Sequence, residues 1–459
     1  MKVKELYIKK YHQFEDFKLD LTYPQGHEKA GQPLDKVCFI GQSGTGKTSL
    51  LEFIQKFIRA FFLFGYNDEQ LLEVSQDEIG SRIIFITPHT EQEMFFSATE
   101  EKTFDVILTR SEIETDIKLK RHNIQKVIQN YLPSTKVVSI YYPVNFTNNI
   151  QPNQSALTEY LIDNIIELNF IDFGSLGFEI TWYNINHKIT EYRETQIQKS
   201  LAISQITNKT GFKSEEILEA AKKYQEWEQN NPNPLQDLAD KVLDRVLNKF
   251  NLRVRTRLDF ERIEDVKTIK IETLDGQEVP YDFQSTGTRQ VFLSMLPLYT
   301  LKPNRTAIFF DEPERSLYPD IQKEIVDIYT SLTTDCQFFY ATHSPIIASS
   351  FEPWEIVELK FNPKTGTVFQ ELYYEGERHV DNYTINPQYL RWDDILQRVF
   401  DLDSEGNEKR VKALMKLATL ESKLKKNNIT PEEREKLWQE YLKLSKLTGW
   451  TTRITNEKN

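Results

Sequence analysis

The run Gly41-Gln42-Ser43-Gly44-Thr45-Gly46-Lys47-Thr48 constrains this chain more than any other feature. It fits GxxxxGK[ST] without a mismatch. Such a run works only at a corner between a strand and a helix, and both flanks are present. Lys36–Ile40 is a short apolar run of the kind buried on both faces of a parallel sheet, and Leu50, Leu51, Ile54, Phe57 and Ile58 form one helical stripe. Glycines allow successive N–H groups to turn inward around an anion, and the helix start adds its positive end. Lys47 is then placed for the β and γ oxygens of a nucleoside triphosphate and Thr48 for Mg²⁺, with the cradle running on through Ser49. ATP and Mg²⁺ are the expected cofactors, and the fold class is α/β.

A second apolar strand, from Thr306 to Phe310, ends in Asp311-Glu312. Beside a phosphate loop, this pair reads as the other half of the site. Asp311 would hold the hydration shell of Mg²⁺, and Glu312 would orient and polarise the attacking water. Seen alone, such a pair is equally a solvated turn. His343 follows the next apolar strand, one strand–helix–strand unit further on, where an imidazole can touch the γ-phosphate or the water. Ser285-Thr286-Gly287-Thr288 precedes a helical run and has the form of a second anion-binding helix start, although an ordinary turn has the same composition.

Taken in this order, the four segments resemble the ABC-type ATPases of the SMC/RecF/OLD branch. GQSGTGKTSL is similar to their Walker A motif, QSTGTRQ to the LSGGQ-type signature, FFDEPERSLYP to the Walker B and D-loop, and ATHSP to the switch-histidine motif. KYHQFEDFKLDL is similar to their opening hairpin. The chain departs from the pattern at Thr286 and Thr288 in the signature and at Tyr318 in the D-loop. The resemblance covers roughly residues 1–150 and 250–350. It implies an ABC-ATPase head (a mixed sheet with a P-loop) in which Glu312, His343 and Lys47 are catalytic. It further implies that two heads sandwich two ATPs, with Ser285, Thr286 and Gly287 acting in trans, so a monomer would hydrolyse ATP poorly.

Four segments follow along the chain. Residues 1–150 form an N-terminal lobe with the phosphate loop, and 151–250 a mainly helical insertion with Leu157–Leu168, Ser214–Asn230 and Leu235–Asn251 as its clearest helices. Residues 251–350 return to strands and carry the signature, the carboxylate pair and His343; Asp275-Gly276 there is a hairpin-turn signal. Residues 351–459 are a C-terminal extension ending in a helical hairpin. Its second helix is announced by Thr430-Pro431-Glu432-Glu433.

Composition and missing parts narrow the function. The 459 residues are 39% hydrophobic and 12% aromatic, enough for real cores. A net charge of −12 weighs against non-specific coating of duplex nucleic acid, which rests on many Lys/Arg–phosphate contacts. Cys38 and Cys336 lie in apolar runs without any CxxC, so two buried thiols are expected rather than a disulfide or zinc site. The opening residues do not read as a signal peptide and no stretch suits a bilayer, so a cytoplasmic protein with no membrane partner is expected.

The stretch between Lys47 and Ser285 carries no sustained heptads, which sets the chain apart from long-armed SMC-like proteins. Asp401-Leu402-Asp403 reads as a solvated turn rather than as a nuclease pair. What remains resembles the ATPase subunits of prokaryotic antiphage systems of the PARIS and Septu types. That resemblance implies a homodimer or larger homo-oligomer working with a separately encoded nuclease effector, and the 410–448 hairpin is either an assembly surface or a small bundle. The rival reading is a RecF-like DNA-binding ATPase in repair, with Arg253, Arg255 and Arg257 on one strand face as the DNA-contacting ridge. The same three cations could equally be paired with acidic residues on neighbouring strands.

Overall fold

The computed structural model describes residues 1–64, 76–86, 93–98, 104–109, 117–118, 137–144, 170–173, 177–210, 215–256, 269–280, 283–371, 386–400, 402, 406–425 and 429–450. The chain divides into two units, Met1–Tyr389 and Leu390–Asn459.

The first unit is a mixed α/β structure built on one 13-stranded sheet. Its strands are β1 (Lys2–Tyr11), β2 (Phe14–Asp20), β3 (Lys36–Gly41), β4 (Arg82–Ile86), β5 (Glu93–Ala98), β6 (Phe104–Thr109), β7 (Ile117–Lys118), β8 (Ser139–Tyr142) and β9 (Phe170–Asp172). A separate small sheet holds β10 (Leu252–Val254), β11 (Ile271–Thr273) and β12 (Glu278–Val279), and the large sheet is completed by β13 (Ala307–Asp311), β14 (Gln337–Ala341), β15 (Ile356–Phe361) and β16 (Val368–Glu371). The large sheet runs β7-β6-β5-β4-β1-β2-β16-β15-β3-β14-β13-β8-β9. Its β7-to-β2 half is antiparallel, whereas β15, β3, β14, β13, β8 and β9 are parallel to one another.

The difference between the halves is written in the side chains. Parallel strands β13 and β14 are buried at every position, with Phe309 stacked on Phe339 and Phe310 on Tyr329. Strand β2 instead alternates, burying Phe14, Phe17 and Leu19 while Glu15, Asp16 and Lys18 are exposed. The helix α1 (Lys47–Phe64) packs its stripe of Leu50, Leu51, Ile54, Phe57 and Ile58 into the same core as Phe39, Phe309 and Phe339. At about 25 cal/mol per Å² of apolar surface removed from water, burying each such side chain contributes roughly 2 kcal/mol.

One expectation about the division of the chain needs correcting. The C-terminal boundary at 350 falls inside the first unit, because β15 pairs in parallel with β3 and β16 pairs with both β15 and β2. Those strands supply neighbours for β3 that the region up to 350 lacks. The segment expected to be mainly helical also contributes β9 to the large sheet. Its described helices are α2 (Gly177–Thr210), α3 (Glu215–Asn230) and the run Pro234–Phe250. That last run is not one regular helix: a π turn at Ala239–Leu243 interrupts it, and Asn251 ends it at φ +60°. The proposed helix 157–168 lies outside the described residues, as do Asp401 and Asp403.

Helix α4 (Thr286–Leu301) lies against α2, and α5 (Pro319–Ser331) connects β13 to β14. Cys38 and Cys336 are both buried and unbonded to one another. In the second unit, α6 (Glu408–Leu424) and α7 (Pro431–Thr448) form the expected hairpin around Leu417, Leu420, Leu424 and Tyr441. Thr430 caps α7, its Oγ1 accepting from the Glu433 N–H. No helix among the described residues is long and apolar enough to cross a membrane.

Candidate nucleotide site

Three loops leave the same edge of the sheet, because β3, β14 and β13 are neighbours in matched register. Phe39 pairs with Ala341, and Ala341 pairs with Asp311. Two more bonds extend the ladder past the strand ends, from the Thr342 N–H to the Phe39 carbonyl at 3.1 Å and from the Glu312 N–H to the Ala341 carbonyl at 2.8 Å. Carboxyl ends of parallel strands are where open α/β sheets hold ligands. The sequence order of the three motifs thus becomes adjacency, with the His343 loop between the phosphate loop and the carboxylate pair.

The phosphate loop is shaped by close approach. Gly41 has φ +146°, and a Cβ there would lie 2.3 Å from the Leu359 carbonyl oxygen on β15. Gly46 has φ +82°, and a Cβ there would lie 1.9 Å from Nε2 of Gln13. Neither position accepts a side chain. Within the loop, the Thr45 hydroxyl donates to the Gln42 carbonyl at 2.8 Å. Lys47 Nζ donates to the carbonyls of Gly41 at 3.0 Å and Gln42 at 3.1 Å.

The bond that joins the two halves runs from the Thr48 hydroxyl to Oδ2 of Asp311, at 2.8 Å between residues 263 apart in sequence. Thr48 and Asp311 together offer a hydroxyl and a carboxylate, the oxygen donors a hard cation such as Mg²⁺ takes. Among the described residues no cluster of three His, Cys, Asp or Glu groups could hold a metal alone. A cation here would complete its shell with water and the phosphates of the nucleotide.

Burial governs the titration of these groups. It lowers Lys47 to about 8, against the opposing pull of Glu312 and Asp311. It raises Asp311 to about 6, with the Thr48 hydroxyl pulling down and the charges of Glu312 and Glu52 pushing up. His343 is lowered by burial and then by the Lys47 charge, while Glu312 acts the other way. His343 is therefore neutral at neutral pH, able to accept or to donate. Glu312 is held at φ +49°, an uncommon conformation for a residue with a Cβ, and Ser316 in the same turn is at φ +63°.

The signature segment is docked elsewhere on the same framework. Ser285 caps α4, its Oγ accepting from the Thr288 N–H at 3.1 Å and bonding the Thr288 hydroxyl at 2.8 Å. A Cβ on Gly287 would meet the Ser316 carbonyl at 2.4 Å, and Gln290 Nε2 donates to the Pro313 carbonyl at 2.7 Å. The start of α4 is thus clamped to the turn that follows Asp311-Glu312. Ser285 and Thr286 are exposed at its tip.

The arginine ridge fares differently. Arg253 on β10 and Arg255 just past its end point the same way, toward Glu272, with Leu252 and Val254 buried. Arg253 is paired with Glu272 at 2.7 Å, and Arg255 with Glu272 at 2.9 Å and Glu278 at 3.1 Å. Burial alone would push Glu272 up, but hydrogen bonds from Arg255 and Arg253 outweigh it and hold the carboxyl below its usual range. Both described cations are therefore engaged by carboxylates on β11 and β12. Arg257 lies outside the described residues.

Two residues at the site escaped the sequence reading. Gln13, in the turn between β1 and β2, donates from Nε2 to the Gly44 carbonyl at 3.2 Å. No periodicity marks it, since its partner is a backbone atom in a different element. Glu314 accepts from the His343 N–H at 2.8 Å. It sits inside the quoted FFDEPERSLYP motif, yet spacing alone assigns it no role.

A match to the AAA ATPase domain family spans residues 1–348. The chain belongs to that family. Family membership makes the protein an ATPase in the broad sense, and the match takes in the phosphate loop, the signature segment, the carboxylate pair and His343. The sheet continues beyond the matched region through β15 and β16. Among solved structures, the chain is similar to an SMC head bound to the C-terminal winged-helix domain of ScpA (11% identity, TM-score 0.43, covering 81% of this chain and 97% of that one). It is also similar to the SMC head domain from Thermotoga maritima (12% identity, TM-score 0.36, 81% and 98%). A third likeness is to an SMC head with extended coiled coil bound to the C-terminal domain of ScpA, from Pyrococcus furiosus (11% identity, TM-score 0.38, 81% and 96%).

Proposed function

We propose that this protein is an ABC-type ATPase whose hydrolytic site is completed by a second copy of the chain. The observation that carries the reading is the Thr48–Asp311 bond, which joins the phosphate loop to the carboxylate pair and leaves Glu312 and His343 beside it. When bound, Mg²⁺ would be held at Thr48 and Asp311 and would neutralise phosphate charge. The chain's own groups then divide the work. N–H groups of Gly41–Ser49 and the Lys47 ammonium orient the triphosphate, Glu312 draws a proton toward its carboxylate from the attacking water, and neutral His343 steadies that water or the γ-phosphate.

Ser285 and Gly287 lie at a helix start clamped to the Pro313–Ser316 turn, and the hydrogen bonds of Ser285 stay within its own cap. An exposed helix start of this kind suits a role in trans, on the nucleotide of a facing head. ATP then acts as the bridge between two copies. We further infer, from the resemblance of its motifs and from its compact size, that it works like the ATPase subunits of PARIS- and Septu-type antiphage systems and holds or releases a separately encoded nuclease effector.

Glu312→Gln tests the chemistry and the assembly together. It is expected to lower turnover about 100-fold or more while retaining ATP, and to accumulate a dimer with ATP that light scattering detects. An unchanged hydrolysis rate removes Glu312 from the mechanism; a slow variant that stays monomeric with ATP removes the shared site.

A further inference from the structure

We propose that Glu314 is a positioning residue of the ATP site: its carboxylate holds the main-chain N–H of His343 and thereby sets where the imidazole stands against Glu312 and Lys47. This rests on the reading that His343 acts on the nucleotide.

The geometry is a pair of stitches between two turns. Oε1 of Glu314 accepts from the His343 N–H at 2.8 Å. One residue on, the Ser344 hydroxyl donates to Oε1 of Gln322 at 2.6 Å, and Gln322 Nε2 donates to the Leu317 carbonyl at 2.8 Å. The first stitch joins the turn after β13 directly to the turn after β14, and the second reaches it through Gln322 on α5. Ser344 is also committed to capping Pro345–Ala348, since its Oγ accepts from the N–H groups of Ile346 and Ile347. The chain leaving His343 is fixed by Ser344, and the chain at His343 is fixed by Glu314.

The turn that carries Glu314 is anchored from its other side as well. Gln290 on α4 bonds the Pro313 carbonyl, and Gly287 lies against the Ser316 carbonyl. Its carboxylate is therefore delivered to His343 from a braced support. His343 is partly exposed, with enough of the ring covered to lower its titration, and among the described residues its imidazole makes no hydrogen bond. Its backbone is the handle by which the protein can aim it. Burial raises the Glu314 carboxyl above its usual range, with the His343 N–H as the main opposing influence. The buried carboxylate is held mainly by the His343 N–H, with smaller help from its own N–H and the Thr342 hydroxyl.

The test is steady-state ATP turnover by the full chain. Glu314→Ala is expected to lower kcat about 10-fold to 100-fold, with KM for ATP and the thermal midpoint little changed, because a small misplacement of a reacting group costs that much. Glu314→Gln keeps an acceptor for the His343 N–H and is expected to restore most of the rate. Because the two residues act as a unit, Glu314→Ala with His343→Ala is expected to be no slower than His343→Ala alone. Should the alanine variant fail to fold, Glu314→Met, which fills the space without an acceptor, takes its place. If His343→Ala is slow but Glu314→Ala is normal, or if the two losses multiply, Glu314 does not act through His343. If His343→Ala turns over normally, the underlying reading of His343 falls and this proposal with it.

Discussion

Two places in the first unit gather charge at strand ends, and they come to opposite arrangements. At the ends of β3 and β13, Lys47 bonds main-chain carbonyls and Asp311 bonds a hydroxyl, and among the described residues neither charge is cancelled by a direct ion pair. On β10 to β12, Arg253 and Arg255 close on Glu272 and Glu278. The first arrangement leaves charge to spend on a ligand, and burial shifts its pKa values accordingly. The second satisfies itself. A row of like charges in sequence does not tell these cases apart, because the partners that decide between them come from other strands.

The largest expected effect falls on the first region. Lys47→Ala should abolish detectable ATP turnover and weaken nucleotide binding by at least about 100-fold, measured by calorimetry with ATP and Mg²⁺. Retained turnover would mean the Lys47 ammonium is as dispensable as the paired arginines.

A second effect uses the buried charge of Asp311. Its carboxyl is raised to about 6 in the folded chain, above its ordinary 3.8, so the folded state holds that proton more tightly than the unfolded one. The resulting stability is present below about pH 4 and is lost as pH rises through about 6. Asp311→Asn removes the charge and keeps an acceptor for Thr48. Without nucleotide or metal it should gain about 2 kcal/mol at pH 7.5 and much less at pH 4.5, seen as a thermal midpoint that rises more at the higher pH. Equal shifts at both values would show that Asp311 carries no such strain.

The smallest effect belongs to the self-satisfied region. Arg253→Ala with Arg255→Ala should leave ATP turnover within about 2-fold and cost on the order of 1 kcal/mol of stability, since partly exposed pairs contribute little. Duplex DNA retention by gel shift should be unchanged. A salt-dependent shift lost in this variant would restore the DNA-clamp reading and break the contrast drawn here.

Legibility in the sequence followed the range of the interaction. Gly41–Thr48, the strand ending in Asp311-Glu312 and the His343 strand were readable because each is a local strand-and-turn pattern, and matched lengths place them side by side. The α6/α7 hairpin was readable for the same reason, through its helical period and the Thr430-Pro431 start. What escaped depended on distant partners. Residues 356–371 read as a C-terminal extension because nothing local says that β15 will pair with β3. Gln13 and Glu314 bond main-chain groups far along the chain, and a main-chain group leaves no residue-type signal. The Glu272 and Glu278 partners of the arginines lie on the strands flanking the Asp275-Gly276 turn, and the register that brings each cation to its carboxylate is not set by residue type.

The large sheet changes character where β2 meets β16, and the recorded pairing there is the single match of Val368 with Phe14, with the Val368 N–H bonded to the Gln13 carbonyl at 2.9 Å. Gln13 thus has its main chain in this narrow seam and its side chain on the phosphate loop. The meeting line of the two half-sheets and the wall of the nucleotide cradle are therefore built on one and the same turn, and Gln13 belongs to both.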